Sequence, residues 1–267
     1  MSADRALARR LEAGHAHSAT TSTPSVAVEE VAGGWAIFHK VDSPVTQAIG
    51  VGLNGAVEPA ELDSLEAFFH SRGSPAILDL CTLADASVIG MIQERGYGIR
   101  EISNVLVRRL DPAEEFPATG DIGVEPVAAD EMGSWARLVL TGFAGNGDIP
   151  EEYLGLLASP GPGLEAFFGV RGAMRVATGA MDVHAGLATL FGGATLAHAR
   201  GRGLQLAMIR HRLKRAAQLG CDLASASVTP GSISHRNYER AGFRLVYVRV
   251  MVYLGHSQPN VPAVSSA

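Results

Sequence analysis

The segment that most restricts the fold runs from residue 190 to residue 219. A strand-like run, Leu-Phe-Gly-Gly-Ala-Thr-Leu-Ala, passes through His198 and Ala199 into Arg200-Gly201-Arg202-Gly203 and then into a helix. That helix, read as residues 203–219, sets Leu206, Ile209, Leu213 and Ala216 on one face, with Arg210, Lys214 and Gln218 elsewhere. The first turn of a helix has free backbone N–H groups and the positive end of the helix dipole. Glycines just before it remove side chains that would block close approach. The result is an anion cradle, and Arg200 and Arg202 add charge that a diphosphate or 3′-phosphate would welcome. Taken alone, the tetrapeptide serves equally well as a tight strand-to-helix turn with two solvated arginines. Two other phosphate loops are excluded. The Gly-x-x-x-x-Gly-Lys-Ser/Thr pattern is absent, and the dinucleotide fingerprint lacks its third glycine and would follow one strand, not four.

Around this segment the chain reads as two α/β series. Residues 1–25 give a short amphipathic helix, read as a surface helix, and then a loose polar stretch. Residues 26–110 alternate strand and helix patterns, with a helix over 59–72 that has Pro59 near its first turn. Residues 111–122, with two prolines, a glycine and several acids, read as a linker. A second, longer series covers 123–255, and 256–267 read as a frayed tail. The two series echo each other. Gly73, an Ile-Leu-Asp-Leu-Cys strand and a helix ending Glu94-Arg95-Gly96-Tyr97 match Gly220, Leu-Ala-Ser-Ala-Ser and a helix ending Glu239-Arg240-Ala241-Gly242-Phe243. Both pieces run on into a long β-branched strand.

The 267 residues suffice for one large domain or two modest ones, and 47% hydrophobic with 18% charged residues reads as globular and soluble. A net charge of −5 gives no reason to expect nucleic acid or an anionic membrane as partner. Cys81 and Cys221 lie in buried-strand patterns and read as small apolar fillers. No run approaches the ~18–20 apolar residues of a membrane span. The N-terminus has Asp4 and Glu12 and no apolar core, so it does not read as a signal peptide, and a cytoplasmic location is expected.

The order strand, Arg-Gly-Arg-Gly-Leu-Gln, amphipathic helix, Gly-Cys-Asp, strand, Arg-Asn-Tyr-Glu-Arg-Ala-Gly-Phe resembles the GNAT superfamily of N-acetyltransferases over roughly residues 120–255. The family pattern is Gln/Arg-x-x-Gly-x-Gly/Ala with a Tyr-Glu-x-x-Gly-Phe-like segment downstream. Arg200, Gly203 and the Tyr238–Phe243 segment match it. Gln205 stands where Gly or Ala is usual, and an outward-facing side chain would leave its N–H free.

The resemblance implies an α/β fold with a mixed, mostly antiparallel sheet flanked by helices and splayed between its fourth and fifth strands, preceded by a smaller GNAT-like half. Acetyl-CoA, or another acyl-CoA, would enter the splay as co-substrate. The backbone at Thr195 and Leu196 would meet the pantetheine, and the N–H groups of Gly201, Arg202, Gly203, Leu204 and Gln205 the pyrophosphate. The implied reaction is attack by a primary amine, of a small molecule or a protein, on the thioester. Tyr238 falls where the family commonly places the acid that protonates the departing thiolate. No metal is implied, and the chain would act as a monomer or homodimer. The base is open: Asp182, His184, His198 or a water relay. Loop acids Asp148, Glu151 and Glu152 hint at a cationic acceptor and equally fit a solvated loop. In the first half the equivalent loop, Gly52 to Pro59, has no arginine and has Glu58, Glu61 and Asp63 at the helix start, while about Ile92 stands where Tyr238 does. That half therefore reads as structural. A different class, a non-catalytic acyl-CoA-binding module that kept the clamp, is the alternative.

Overall fold

The computed structural model describes residues 4–21, 25–117, 121–144, 151–159, 161 and 163–255. The expected tail at 256–267, Asp148, and residues 118–120 of the expected linker lie outside the described residues. Elements follow in the order α1 (Arg5–Thr21), β1 (Ala27–Val31), β2 (Gly34–Phe38), β3 (Gln47–Ile49), α2 (Pro59–His70), β4 (Ala76–Cys81), α3 (Ala86–Glu94) and β5 (Gly98–Arg109). Then come β6 (Ile122–Pro126), α4 (Met132–Ala144), α5 (Glu151–Leu157), β7 (Leu164–Arg171), β8 (Met174–His184), β9 (Leu187–Thr195), α6 (Leu204–Gln218), β10 (Leu223–Val228), α7 (Ile233–Arg240) and β11 (Arg244–Leu254). The chain forms two compact units. One holds the residues up to Asn104 together with the segment from Val246, and the other holds Val105–Leu245.

In the first unit the strands lie in the order β1-β2-β3-β4-β11. β3 and β4 are parallel, and β4 and β11 are antiparallel from Ala76↔Leu254 to Cys81↔Arg249. Alternation along the strands sends Ala36, Ala48 and Leu78 to the face covered by Leu62, Leu65 and Phe69 of α2. Ile37 and Ile49 point the other way, onto Ala16 and Ala19 of α1. β11 differs from the sequence reading, which closed the second series at 255. Its residue Val252 joins the core of the first unit, while Leu106 of β5 joins that of the second. Two strands of the same apolar character have exchanged, so that each half's closing strand completes the other half's core.

On its α1 face the first unit holds a buried charged cluster. Glu12, 0% exposed, accepts from the Tyr247 hydroxyl at 2.6 Å and from Arg249 Nε at 2.8 Å. Asp79 Oδ2 lies 3.7 Å from Arg249 Nε and 3.7 Å from His15 Nδ1. Burial pushes the Asp79 carboxyl up to about 7, against the pull of Arg249, and burial holds the His15 imidazole well below its ordinary range. The two shifts have opposite consequences. A raised carboxyl contributes stability at low pH that is lost as pH rises from the unfolded value through about 7. A lowered imidazole contributes stability present above its unfolded value of about 6.5 and lost as pH falls. Relative to wild type, Asp79→Asn should therefore gain stability as pH rises from about 4 to about 7, and His15→Gln should lose it across the same window. Urea unfolding at stepped pH measures both, and a pair of parallel profiles would refute the assignment. Nearby Cys81 is buried and its thiol is pushed up to about 12, chiefly by desolvation, which fits an inert filler.

In the second unit the strands lie in the order β5-β10-β9-β8-β7-β6. β6 through β9 pair antiparallel, and β9 pairs parallel with β10. One face is covered by α4, whose Trp135 and Val139 pack on Phe168 and Ala180. The other is covered by Leu204, Met208, Ile209 and Leu213 of α6, together with Tyr238 of α7 and Phe243. No helix among the described residues is long and apolar enough to cross a membrane.

Candidate functional site

The sheet of the second unit opens between its fourth and fifth strands. β9 and β10 are partnered only from Leu187↔Leu223 to Leu190↔Ala226, while β9 continues to Thr195. Beyond Leu190 the strand bulges. Its register with β8 passes from Ala180↔Phe191 to Thr178↔Ala194, so β9 has one more residue than β8 there. Gly192 takes a φ of 61° at this point, with the Trp135 ring 3.0 Å from where a Cβ would sit. The Gly192-Gly193 pair inside a strand is a sequence signal for such a bulge.

Thr178 plugs the bulge. Its hydroxyl donates to the Gly192 carbonyl at 2.9 Å and accepts from the Ala194 N–H at 3.3 Å. The N–H and C=O of a trans peptide point in opposite directions. The Gly193 N–H and C=O, which belong to those same two peptides, are therefore turned away from β8, to the edge that β10 has left. Leu196 donates its N–H to the Val176 carbonyl and accepts from the Ala199 N–H, each at 2.9 Å. Both its backbone groups are engaged within the protein, the carbonyl through one of its two lone pairs. Thr195, between Ala194 and Leu196, alternates to the open edge. Its carbonyl is taken by Arg200 Nε at 3.1 Å.

The loop leads straight from this edge to the start of α6. Gly201 and Gly203 have φ of 73° and 81°, a backbone region that costs other residues strain. Gly203 is the N-cap of α6, and no side chain caps the helix. The first N–H groups of this 15-residue helix, those of Leu204, Gln205 and Leu206, have neither intrahelical acceptors nor a side-chain substitute. Leu204 anchors the turn by burying its side chain in the core. Arg200 is a brace: besides the Thr195 carbonyl, its Nη2 donates to the Gly142 carbonyl at 2.8 Å, in the last turn of α4. Arg202 is exposed, and its positive charge reaches Asp121, whose carboxyl is held below the ordinary range mainly by a hydrogen bond from Arg171. Gln205 turns aside. Its amide donates to Ser234 Oγ at 3.0 Å and accepts from Asn237 at 2.6 Å, so the side chain ties α6 to α7 and leaves the cradle clear. In the first unit the matching helix start is already filled: Glu61 of α2 accepts from the Glu58 N–H at 2.9 Å.

Tyr238 is 4% exposed on α7, with its ring edge-on to Phe243 at 4.9 Å between centroids. Its hydroxyl makes no hydrogen bond to a described residue and is not among the atoms sealed from solvent. The three candidate bases are spread out. His198 is exposed on a short 3-10 turn before Arg200. Asp182, 1% exposed, pairs across the ladder with Thr189, and His184 pairs with Leu187 at the far end of β9. Thr189 stands about 13 Å along the strand from Gly193 at roughly 3.3 Å per residue. The structure thus gathers Thr195, Gly201, Gly203, Leu204 and Gln205 around one opening and leaves Asp182 and His184 away from it. Thr178 and Arg212, which shape the bulge, had no motif to mark them. Among the described residues no group of three or more His, Cys, Asp or Glu side chains could hold a metal ion.

This architecture is the fold of the GCN5-related N-acetyltransferases. The chain is similar to a GCN5-related N-acetyltransferase from Kribbella flavida, at 18% identity and a TM-score of 0.71, over 94% of this chain and 96% of that one. It is also similar to a tandem GNAT protein from the clavulanic acid biosynthesis pathway, at 14% identity and TM-score 0.56 over 88% and 86% of the two chains. A third likeness is a GNAT-family acetyltransferase from Colwellia psychrerythraea, at 15% identity and TM-score 0.51 over 84% and 81%. No family model and no curated protein matches the sequence.

Proposed function

We propose that the protein is an N-acyltransferase that moves an acetyl group from acetyl-CoA to a primary amine of a small molecule or a protein. The observation that carries this reading is the uncapped start of α6, preceded by two glycines of positive φ that follow a strand whose edge has been freed by a bulge. An uncapped helix start suits a pyrophosphate. A free strand edge suits the amide groups of a pantetheine arm, which can pair with the Gly193 carbonyl and the Thr195 N–H as a neighbouring strand would. Arg202 supplies an exposed positive charge at the mouth, and Arg200 holds the loop in place. The first half has no such cradle and is structural in this reading.

The reaction is direct transfer. The neutral amine attacks the thioester carbon, the tetrahedral species collapses, and the sulfur leaves as thiolate. Tyr238 is the general acid that protonates it, a role supported by a hydroxyl that no described residue engages. No acid lies on β9, so water takes the amine's proton. CoA release from acetyl-CoA across an amine panel tests the proposal. Wild type should turn over at least one amine, and Tyr238→Phe should lower kcat about 10²-fold or more with little change in KM for acetyl-CoA. Tight acetyl-CoA binding without transfer to any amine would favour the binding-module alternative.

A further inference from the structure

Arg212 of α6 is 0% exposed and lies directly behind the β9 bulge. Its Nε donates to the Met208 carbonyl of its own helix at 3.1 Å. Its Nη1 donates to the Ala180 carbonyl at 2.9 Å and to the Phe191 carbonyl at 3.1 Å, one on each strand of the rung where the bulge begins. Its Nη2 is sealed from solvent and has no hydrogen-bond partner among the described residues. No carboxylate pairs with it among the described residues. Gly179 makes room for it, and Gly193 lies beside it. A Cβ on Gly179 would meet the guanidinium carbon at 2.9 Å, and a Cβ on Gly193 would stand 3.7 Å from Nη2. A buried cation without a counter-ion costs several kcal/mol, and an apolar side chain of equal volume would fill the space without that penalty. The charge therefore calls for a use that packing does not supply.

We infer that Arg212 is a positioning residue for acyl transfer, acting through the bulge on the carbonyl of the thioester. The inference rests on the acyl-CoA reading of the site. Two effects combine. By holding the Phe191 and Ala180 carbonyls, Arg212 fixes the bulge whose Gly193 N–H faces the open edge. Its positive charge, sealed from solvent, also sits beside Gly193, where an electrostatic effect is larger than in solvent. When the amine nitrogen bonds to the thioester carbon, the carbonyl π pair moves onto oxygen, and the Gly193 N–H backed by Arg212 stabilises that charge. The pair returns as the C–S bond breaks, the sulfur keeps the C–S electrons and takes a proton from Tyr238, and the amine nitrogen gives its proton to water.

The experiment uses acetyl-CoA labelled with ¹³C at the thioester carbonyl, read by isotope-edited infrared spectroscopy alongside steady-state kinetics. Bound to wild type, the carbonyl band should move to lower frequency than in free acetyl-CoA. In Arg212→Met the band should return towards the free position and kcat should fall about tenfold or more, while KM for acetyl-CoA stays within about threefold. A merely structural arginine would change the melting temperature and not this band. Should Arg212→Met fail to fold, Arg212→Lys keeps the charge but cannot span both carbonyls, and part of the band shift should be lost. A folded variant of either kind with a wild-type band and wild-type kcat overturns the role of Arg212. A wild type that does not bind acetyl-CoA overturns the acyl-CoA reading itself, a separate and recognisable outcome.

Discussion

Glu12→Ala is expected to cost about 3–5 kcal/mol of stability, because it removes the closest carboxylate from the buried Arg249 guanidinium and leaves Asp79, at 3.7 Å, as the facing acid. Glu12 is 0% exposed and bonds both Tyr247 and Arg249, so removing it takes an acceptor from two buried donors at once. The desolvation penalty of the pair is large in either case, so the net value of the interaction is far smaller than the cost of breaking it. A double replacement shows the difference. Glu12→Leu combined with Arg249→Met should recover most of the loss, since it removes both charges together. Guanidinium chloride unfolding of wild type, the single variant and the double variant provides the measurement. A Glu12→Ala midpoint equal to that of wild type would mean that the cluster is not closed in solution.

That cluster also shows where sequence reading stops. The N-terminal helix read as a surface element because its composition is alanine with arginine, and alanine is a weak marker of burial. In the structure Ala8, Leu11, Ala16 and Ala19 are buried against the sheet, and Glu12 sits among them with its charge met from β11, more than 200 residues away along the chain. No local pattern carries a pairing of that range. The exchange of β5 and β11 was hidden for a related reason: an apolar β-branched strand has the same periodicity whichever sheet it joins. The α6 loop was legible because all its requirements are local, namely positive φ, an uncapped helix start and nearby positive charge. Gln205 was legible as a departure from the family pattern, and its tie to Ser234 and Asn237 removes the conflict. Thr178 and Arg212 were not legible, since a threonine in a strand and an arginine in a helix acquire their roles only from the bulge between them.

The strongest effect on cofactor affinity is expected from Gly203→Asp. A carboxylate at this N-cap competes for the same free N–H groups that the acyl-CoA reading assigns to the pyrophosphate, and it adds a negative charge at the mouth. The charge–dipole interaction alone reaches about 2 kcal/mol in partly buried geometry, so acetyl-CoA affinity should fall on the order of 30-fold or more. Gly203→Ala is the control. An added Cβ would find Ile122 Cδ1 at 3.8 Å, an ordinary contact, so space is not limiting. The residue would have to hold a φ of 81°, which costs about 1–2 kcal/mol of stability but leaves the N–H groups unoccupied. Alanine should therefore lower the melting temperature and bind acetyl-CoA nearly as wild type does. Aspartate should lose binding, and it should lose less stability than alanine because its carboxylate satisfies the helix dipole. Calorimetric titration with acetyl-CoA beside thermal melts separates the two variants. Equal loss of affinity in both would show that the backbone turn, and not the free N–H groups, is what the cofactor requires, and would move the anion site away from the start of α6.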